Sequence, residues 1–232
     1  MKTSLIYLDD PYIRELSAKV IEIREGAILD RTIFYASSGG QPADLGFMAG
    51  KDKYNVVDVI KEDEIIHKTE PLPEVGETVK LTIDWERRYS HMRQHTAIHV
   101  VSSIAMKEFN ARITGNQIYD SYSRIDFNFP EWDNKLAEAI QSRTNEELKK
   151  NHPVTWFKMK REEILGVEGS LKVRADLLPP DEVLRVVKIG DIDMQPDGGT
   201  HVRNTSEVGQ IDIYKIENKG KNNKRMYFSL HM

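Results

Sequence analysis

For its first third the chain runs through short stretches in which apolar and polar positions alternate. In Ala18 to Ile23, Val20, Ile21 and Ile23 surround Lys19 and Glu22, and Gly26 ends the run. Ser4 to Leu8, Ile28 to Tyr35, Tyr54 to Ile60, Ile65 to Lys68 and Thr78 to Ile83 are similar runs, fenced by charges, proline or glycine. Pro71 and Pro73 mark a loop before the last of them. Short strands with turn signals between them predict a small β-barrel or curled sheet. The period then changes. Asp84 to Asn110 contains neither Gly nor Pro, and Met92, Ile98, Val101, Ile104 and Ala105 recur at helical spacing. This predicts a long amphipathic helix with Asp84 as its N-cap. Trp132 to Lys150 reads as a second amphipathic helix, with Leu136, Ile140 and Leu148 on one face, and Arg161 to Leu165 as a short one. Ile125 to Phe129, Val154 to Met159, Val183 to Ile189, Gln210 to Ile216 and Met226 to Leu230 read as strands. The expected architecture is α+β in two domains. A small β-barrel occupies residues 1–86, and residues 87–232 form an α+β domain whose long helix packs on an antiparallel sheet.

Composition narrows the possible chemistry. The chain has 232 residues, no cysteine, 37 acidic and 33 basic side chains, and a formal net charge of −4. It is long enough to bury a substantial core. Without cysteine, a disulfide framework, a thiol nucleophile and a thiolate metal site are all excluded. No apolar run approaches the ~20 residues of a bilayer-spanning helix. Acids at Asp9 and Asp10 stop the N-terminal run before a signal-peptide core could form. A cytoplasmic protein with no membrane or DNA partner is therefore expected. Modest acidity still permits a local nucleic-acid face.

The histidines supply the first chemistry. His95 and His99 lie four residues apart on the predicted long helix, so both imidazoles can reach one ion. A zincin protease would need Glu after the first of them, where this chain has Thr96. Asp197 and His201, in Asp197-Gly198-Gly199-Thr200-His201, repeat the spacing after a strand-like run. Asp-Gly followed by Gly is also ordinary turn chemistry. Taken together, the two halves offer three imidazoles and a carboxylate, a tetrahedral set acceptable to Zn²⁺.

Four motifs now carry a resemblance that covers almost the whole chain. They are Ser38-Gly39-Gly40-Gln41-Pro42-Ala43-Asp44-Leu45-Gly46; Met92-Arg93-Gln94-His95-Thr96-Ala97-Ile98-His99; Thr114-Gly115-Asn116-Gln117-Ile118 with Ser123-Arg124-Ile125-Asp126-Phe127; and Gly198-Gly199-Thr200-His201-Val202-Arg203-Asn204-Thr205. In this order they resemble the AlaX family, free-standing relatives of the editing domain of alanyl-tRNA synthetase. Nothing follows Met232 for the C-terminal extension of longer members, so the medium-length type is expected. The resemblance implies a translation-factor-like barrel, an α+β editing domain holding one Zn²⁺, and hydrolysis of mischarged tRNA(Ala), chiefly the seryl and sometimes the glycyl form. Asp197 stands where the family usually has cysteine, which makes the site harder and its preference for zinc weaker.

The resemblance also suggests roles at particular positions. Thr114 is the candidate for sensing the seryl hydroxyl, with Asn116 and Gln117 as polar neighbours. Gly39, Gly40 and Gln41 are candidates for shaping the pocket. Basic residues crowd two places that suit an RNA acceptor end: Arg87, Arg88 and Arg93 near the start of the long helix, and Lys219, Lys221, Lys224 and Arg225 near the end of the chain. A monomer or weak homodimer is expected. An editing module of different amino-acid specificity, or a non-catalytic tRNA-binding or structural-metal protein of the same fold, is the alternative.

Overall fold

The computed structural model describes residues 2–166, 180–221 and 223–231. The chain divides into two compact units, Met1–His91 and Met92–Met232.

In the first unit, six strands close into a barrel. They are β2 (Glu15–Ile23), β3 (Ala27–Leu29), β5 (Gly46–Ala49), β6 (Lys53–Lys61), β7 (Ile65–Glu70) and β8 (Thr78–Ile83), in the order β2-β3-β7-β6-β5-β8. Closure leaves no free sheet edge. Gly46 begins the strand that completes it, where a Cβ would collide with the Thr82 carbonyl oxygen. Val20, Leu29, Phe34, Met48, Val59 and Leu81 fill the interior. β1 (Ser4–Leu5) pairs in parallel with β4 (Arg31–Thr32) outside the barrel.

Local polar contacts trimmed the expected runs. Ser4 to Leu8 is strand only to Leu5 and then turns as a 3₁₀ segment, Ile6–Leu8. Ile28 to Tyr35 is broken at Asp30, whose carboxylate accepts from Lys19 N–H at 2.7 Å.

The helix α1 (Trp85–Phe109) starts where predicted, and Asp84 caps it by accepting from Arg87 N–H at 3.1 Å. It is not the amphipathic helix expected. From Met92 to Ala105 every residue is buried except the half-buried Arg93, so buried polar side chains must find partners.

In the second unit, β9 (Ile113–Ile118), β10 (Tyr122–Phe127), β14 (Gln210–Gly220) and β15 (Asn223–His231) form an antiparallel sheet ordered β14-β15-β10-β9. The helix α2 (Asn134–Leu148), capped by Asp133, buries Ala137, Ile140, Thr144 and Leu148. Along the edge strand β14, Asn145 bonds both the N–H and the carbonyl of Ile211, and Gln141 accepts from Ile213 N–H. A second sheet runs β11 (Val154–Lys160), β12 (Val183–Ile189), β13 (Asp193–Pro196), with α3 (Arg161–Gly166) after β11. The fold is α+β, as expected. The unanticipated strands β5, β9 and β13 are short or polar.

Candidate metal centre

α1 carries His95 and His99 one turn apart, and the loop leaving β13 carries Asp197 and His201. One donor atom from each of the four lies within 4.8 Å of every other. His95 Nε2 and His99 Nε2 are 3.3 and 3.5 Å from Asp197 Oδ2, and His201 Nε2 is 3.3 Å from Asp197 Oδ1. Donors bound about 2.0–2.1 Å from a tetrahedral ion stand about 3.3–3.4 Å apart. Three imidazoles and a carboxylate are a donor set suited to one divalent cation, and the spacings to the two Asp197 oxygens are close to that value. His201 is fully buried, while the Asp197 side chain is 17% exposed and is the ligand nearest solvent.

Neighbouring groups fix the ligands. His99 Nδ1 lies 2.7 Å from Asp193 Oδ2, and the other Asp193 oxygen accepts from Ser103 at 3.1 Å. His201 Nδ1 lies 3.1 Å from Thr96 Oγ1, which also accepts from Val202 N–H at 3.3 Å. With Nδ1 engaged, each ring turns Nε2 toward the cluster. Arg185 Nη1 clamps the loop by donating to the Asp197 and Gly199 carbonyls at 2.8 and 3.1 Å. Gly199 is obligatory, since a Cβ there would collide with the His95 ring.

The electrostatics match. Burial alone would raise the Asp197 carboxyl, but the charge of His95 and the hydrogen bonds of the three imidazoles hold it well below the usual carboxylate range. Burial, reinforced by the charge of His95, pushes His201 well below the usual imidazole value and keeps its lone pair free. For His99, burial opposes the cation, but Asp193 and Asp197 outweigh it and raise the pKa.

The run Arg93 to Thr96 now has a residue-by-residue reading, because consecutive helical residues point about 100° apart. Arg93 donates to the Val208 carbonyl at 2.8 Å. Gln94 donates to the Tyr119 carbonyl and accepts from Ser123 Oγ, both at 2.7 Å. His95 joins the cluster and Thr96 orients His201. Sequence reasoning missed Gln94, Thr96, Ser103, Arg185 and Asp193 as supports. Gln94 and Thr96 lay inside a recognised motif, and Ser103 follows His99 by one helical turn.

The other candidates are divided by the structure. Gly39 and Gly40, at φ +59° and +84°, form the two-residue tip of a tight hairpin closed by reciprocal Ser38–Gln41 backbone bonds of 3.1 and 2.9 Å. Such a turn favours glycine at both central positions. Gln41 is buried beneath it. Asp44 of the same motif accepts from Tyr35 N–H at 2.6 Å and pairs with Arg88.

Thr114 is the extra residue of a β-bulge, because Gly115 pairs with Asp126 while Ile113 pairs with Phe127; it is exposed. Asn116, opposite Ile125, shares the sheet face of Ser123 that meets α1. Gln117, opposite Arg124, lies on the other face.

Two of the expected RNA-binding cations are corrected. Arg88 is fully buried in an ion pair with Asp44 and donates to the Pro11 and Ile33 carbonyls at 2.8 and 2.6 Å. Lys224 is buried and closes the last hairpin by donating to Asn218 Oδ1 and the Gly220 carbonyl at 2.9 and 2.7 Å. Arg225 pairs with Asp126 and Lys219 with Glu217, Arg87 is half-buried, and Lys221 is exposed.

Comparison with known proteins gives the family. The chain is 39% identical to the alanyl-tRNA editing protein AlaX-M of Saccharolobus solfataricus, over 98% of this chain and 99% of that one. The chain belongs to the AlaX family of alanyl-tRNA editing proteins. Another AlaX relative, AlaX-L of Pyrococcus horikoshii, is 38% identical over 97% of this chain and 57% of its own length. The alanine--tRNA ligase of Archaeoglobus fulgidus is 35% identical over 93% of this chain and 24% of its own length. The family model for the threonyl and alanyl tRNA synthetase second additional domain matches residues 184–227, which include Asp197 and His201. The model for class II (A) tRNA synthetases matches residues 8–87, which include the Gly-rich hairpin.

Proposed function

We propose that this editing protein, an aminoacyl-tRNA hydrolase, clears mischarged tRNA(Ala) at a Zn²⁺ ion held by His95, His99, Asp197 and His201. Its main substrate in this reading is Ser-tRNA(Ala), with Gly-tRNA(Ala) second, and it works in the cytoplasm as a monomer or weak homodimer. Residues 1–86 serve as a translation-factor-like barrel domain and residues 87–232 as the editing domain. The observation that carries the reading is the four-donor cluster, three imidazoles and a carboxylate whose donor atoms all lie within 4.8 Å of one another.

When bound, the ion supplies a positive charge that polarises or orients the ester carbonyl. The chain does the rest. Asp193 and Thr96 hold two of the rings in register, the three imidazoles are buried, and Asp197 is the most exposed of the four. Editing is needed because an apolar pocket rejects an added hydroxyl or a missing methyl by only about 1–3 kcal/mol. A second site that hydrogen-bonds the hydroxyl can select serine and spare alanine. Thr114 and Asn116 are proposed for that contact. The bulge supports Thr114 because bulges re-aim side chains, and Asn116 is supported by its place on the face that meets α1. Gly39, Gly40 and Gln41 act by holding a tight hairpin rather than by chemistry of their own.

The test is deacylation of Ser-, Gly- and Ala-tRNA(Ala) side by side, with and without a chelator. Loss of the seryl ester first and the glycyl ester more slowly, with the alanyl ester spared, is expected, and chelation should abolish both activities. Equal cleavage of all three esters would overturn the specificity. Full activity in protein shown to be metal-free would remove the ion from the account.

A further inference from the structure

Asp197 is the most exposed of the four cluster residues, and it sits where regular structure has ended. β13 stops at Pro196, and Asp197, Gly198 and Gly199 belong to no strand or helix. Two glycines follow the aspartate, and glycine has the most conformational freedom to lose. A Cβ at Gly198 would meet nothing within 4 Å, so packing does not fix that residue. The carboxylate is nevertheless aimed. Its Oδ1 accepts from Gly199 N–H and faces His201, while Oδ2 faces His95 and His99. Its direction therefore depends on where the backbone of residues 197 and 199 is held.

Arg185 on β12 holds both. Val186 pairs with Pro196, and the next bond of that ladder runs from Asp197 N–H to the Arg185 carbonyl at 3.1 Å. The Arg185 side chain then returns to the same turn, where Nη1 donates to the Asp197 and Gly199 carbonyls at 2.8 and 3.1 Å. Both main-chain groups of Asp197 are thus bonded to one residue, and Gly199 is tied to the same nitrogen. The guanidinium has its own support. Its Cζ lies 5.4 Å from the centre of the Trp156 ring, which stands on β11 opposite Val187. A guanidinium over an indole face is attracted to it. Arg185 is therefore located by the β11–β12 pair and not by the turn it holds. The imidazoles have separate anchors, His99 in Asp193 and His201 in Thr96.

We propose that Arg185 is a positioning residue of the metal centre and that it acts through Asp197. With Arg185 in place the centre presents four protein donors; without it the two-glycine turn relaxes and three imidazoles remain. The proposal rests on the metal reading above and adds the side chain that decides whether the fourth donor is present. Charge alone predicts the opposite effect. A fixed cation near the site repels a divalent ion, so removing it should tighten binding if position did not matter.

The experiment measures metal binding, not turnover. The full chain is stripped of metal and titrated with Zn²⁺ against a metal-indicator dye, and with Co²⁺, whose visible spectrum reports the ligand set. The variants are Arg185→Met, Arg185→Lys, Asp197→Ala and the double variant Arg185→Met with Asp197→Ala. Arg185→Met keeps the apolar stem and loses the donor, and it should bind Zn²⁺ about tenfold to a hundredfold more weakly. Its Co²⁺ spectrum should move to that of Asp197→Ala. Arg185→Lys should keep most of the wild-type affinity, because both side-chain bonds come from one nitrogen that an ammonium can replace. The double variant should bind no more weakly than Asp197→Ala alone, since residues acting through one contact are not additive. Unchanged or tighter binding in Arg185→Met would overturn the proposal. So would an equal loss in Arg185→Lys, or the same loss factor in both Asp197 backgrounds, which would assign Arg185 to general support of the fold. If wild type takes up neither ion, the metal reading itself fails and the proposal falls with it. If wild type binds and the Arg185 variants bind alike, only the positioning role fails.

Discussion

Asp193 shows how much of the metal centre is decided by side chains that would not touch the ion. Its carboxylate lies 2.7 Å from His99 Nδ1 and accepts from Ser103, so it fixes the nitrogen that His99 presents. Partners of this kind typically change metal affinity by about 10–100-fold. Asp193→Asn should therefore weaken Zn²⁺ binding by roughly that factor, measured by competition with a metal-indicator dye, with far-UV circular dichroism unchanged. Unchanged affinity would mean that packing alone orients His99. The pairing of residues in the four-membered cluster was legible in the sequence. His95 with His99, and Asp197 with His201, each announce a shared approach by spacing, whereas Asp193 meets His99 across 94 residues and has no local signature. Arg88 misled for a related reason. In a linear sequence a buried cation looks like a surface one, and its true partner, Asp44, stands 44 residues away.

At the scale of elements, the barrel contains a titratable group held neutral. His67 on β7 is fully buried, with Thr32 Oγ1 2.8 Å from Nε2 and the Ala27 carbonyl 3.0 Å from Nδ1. Burial pushes its pKa down to about 4, against only a modest opposing pull from the Ala27 carbonyl. The unfolded chain takes up this proton below about pH 6.5. Stability from this group is therefore full above that pH and is lost as pH falls toward 4, by about 3 kcal/mol in all. Denaturant unfolding at pH 7 and at pH 4.5 should show the decline, and His67→Gln should flatten it. An equal slope in the variant would assign the decline to other groups.

Long periodic elements were the legible ones. Thr78–Ile83 and Val183–Ile189 match their predicted bounds. β9 was missed because Thr114-Gly115-Asn116-Gln117 shows no alternation, and its pairing with β10 decides its conformation instead. For α1 the helix was legible but its burial was not, since polar residues such as Gln94, Ser102 and Ser103 are satisfied by contacts invisible in a helical-wheel pattern.

At the scale of the whole molecule, a formal net charge of −4 rules out attraction of RNA by overall charge, so any affinity must come from local faces. The composition showed this much, but not which face. Of seven cations read as RNA contacts, Arg88 and Lys224 are buried. The two compact units part after His91. The central claim is that three histidines and one aspartate hold the ion that deacylation requires. Its most direct test is to strip the protein with a chelator, add Zn²⁺ back in steps, and follow bound metal and Ser-tRNA(Ala) deacylation together in wild type and in Asp197→Ala. Activity should return in proportion to occupancy and saturate at one ion per chain, and the variant should need far more zinc. Full activity before any zinc is restored, or identical titrations for both proteins, would contradict the account.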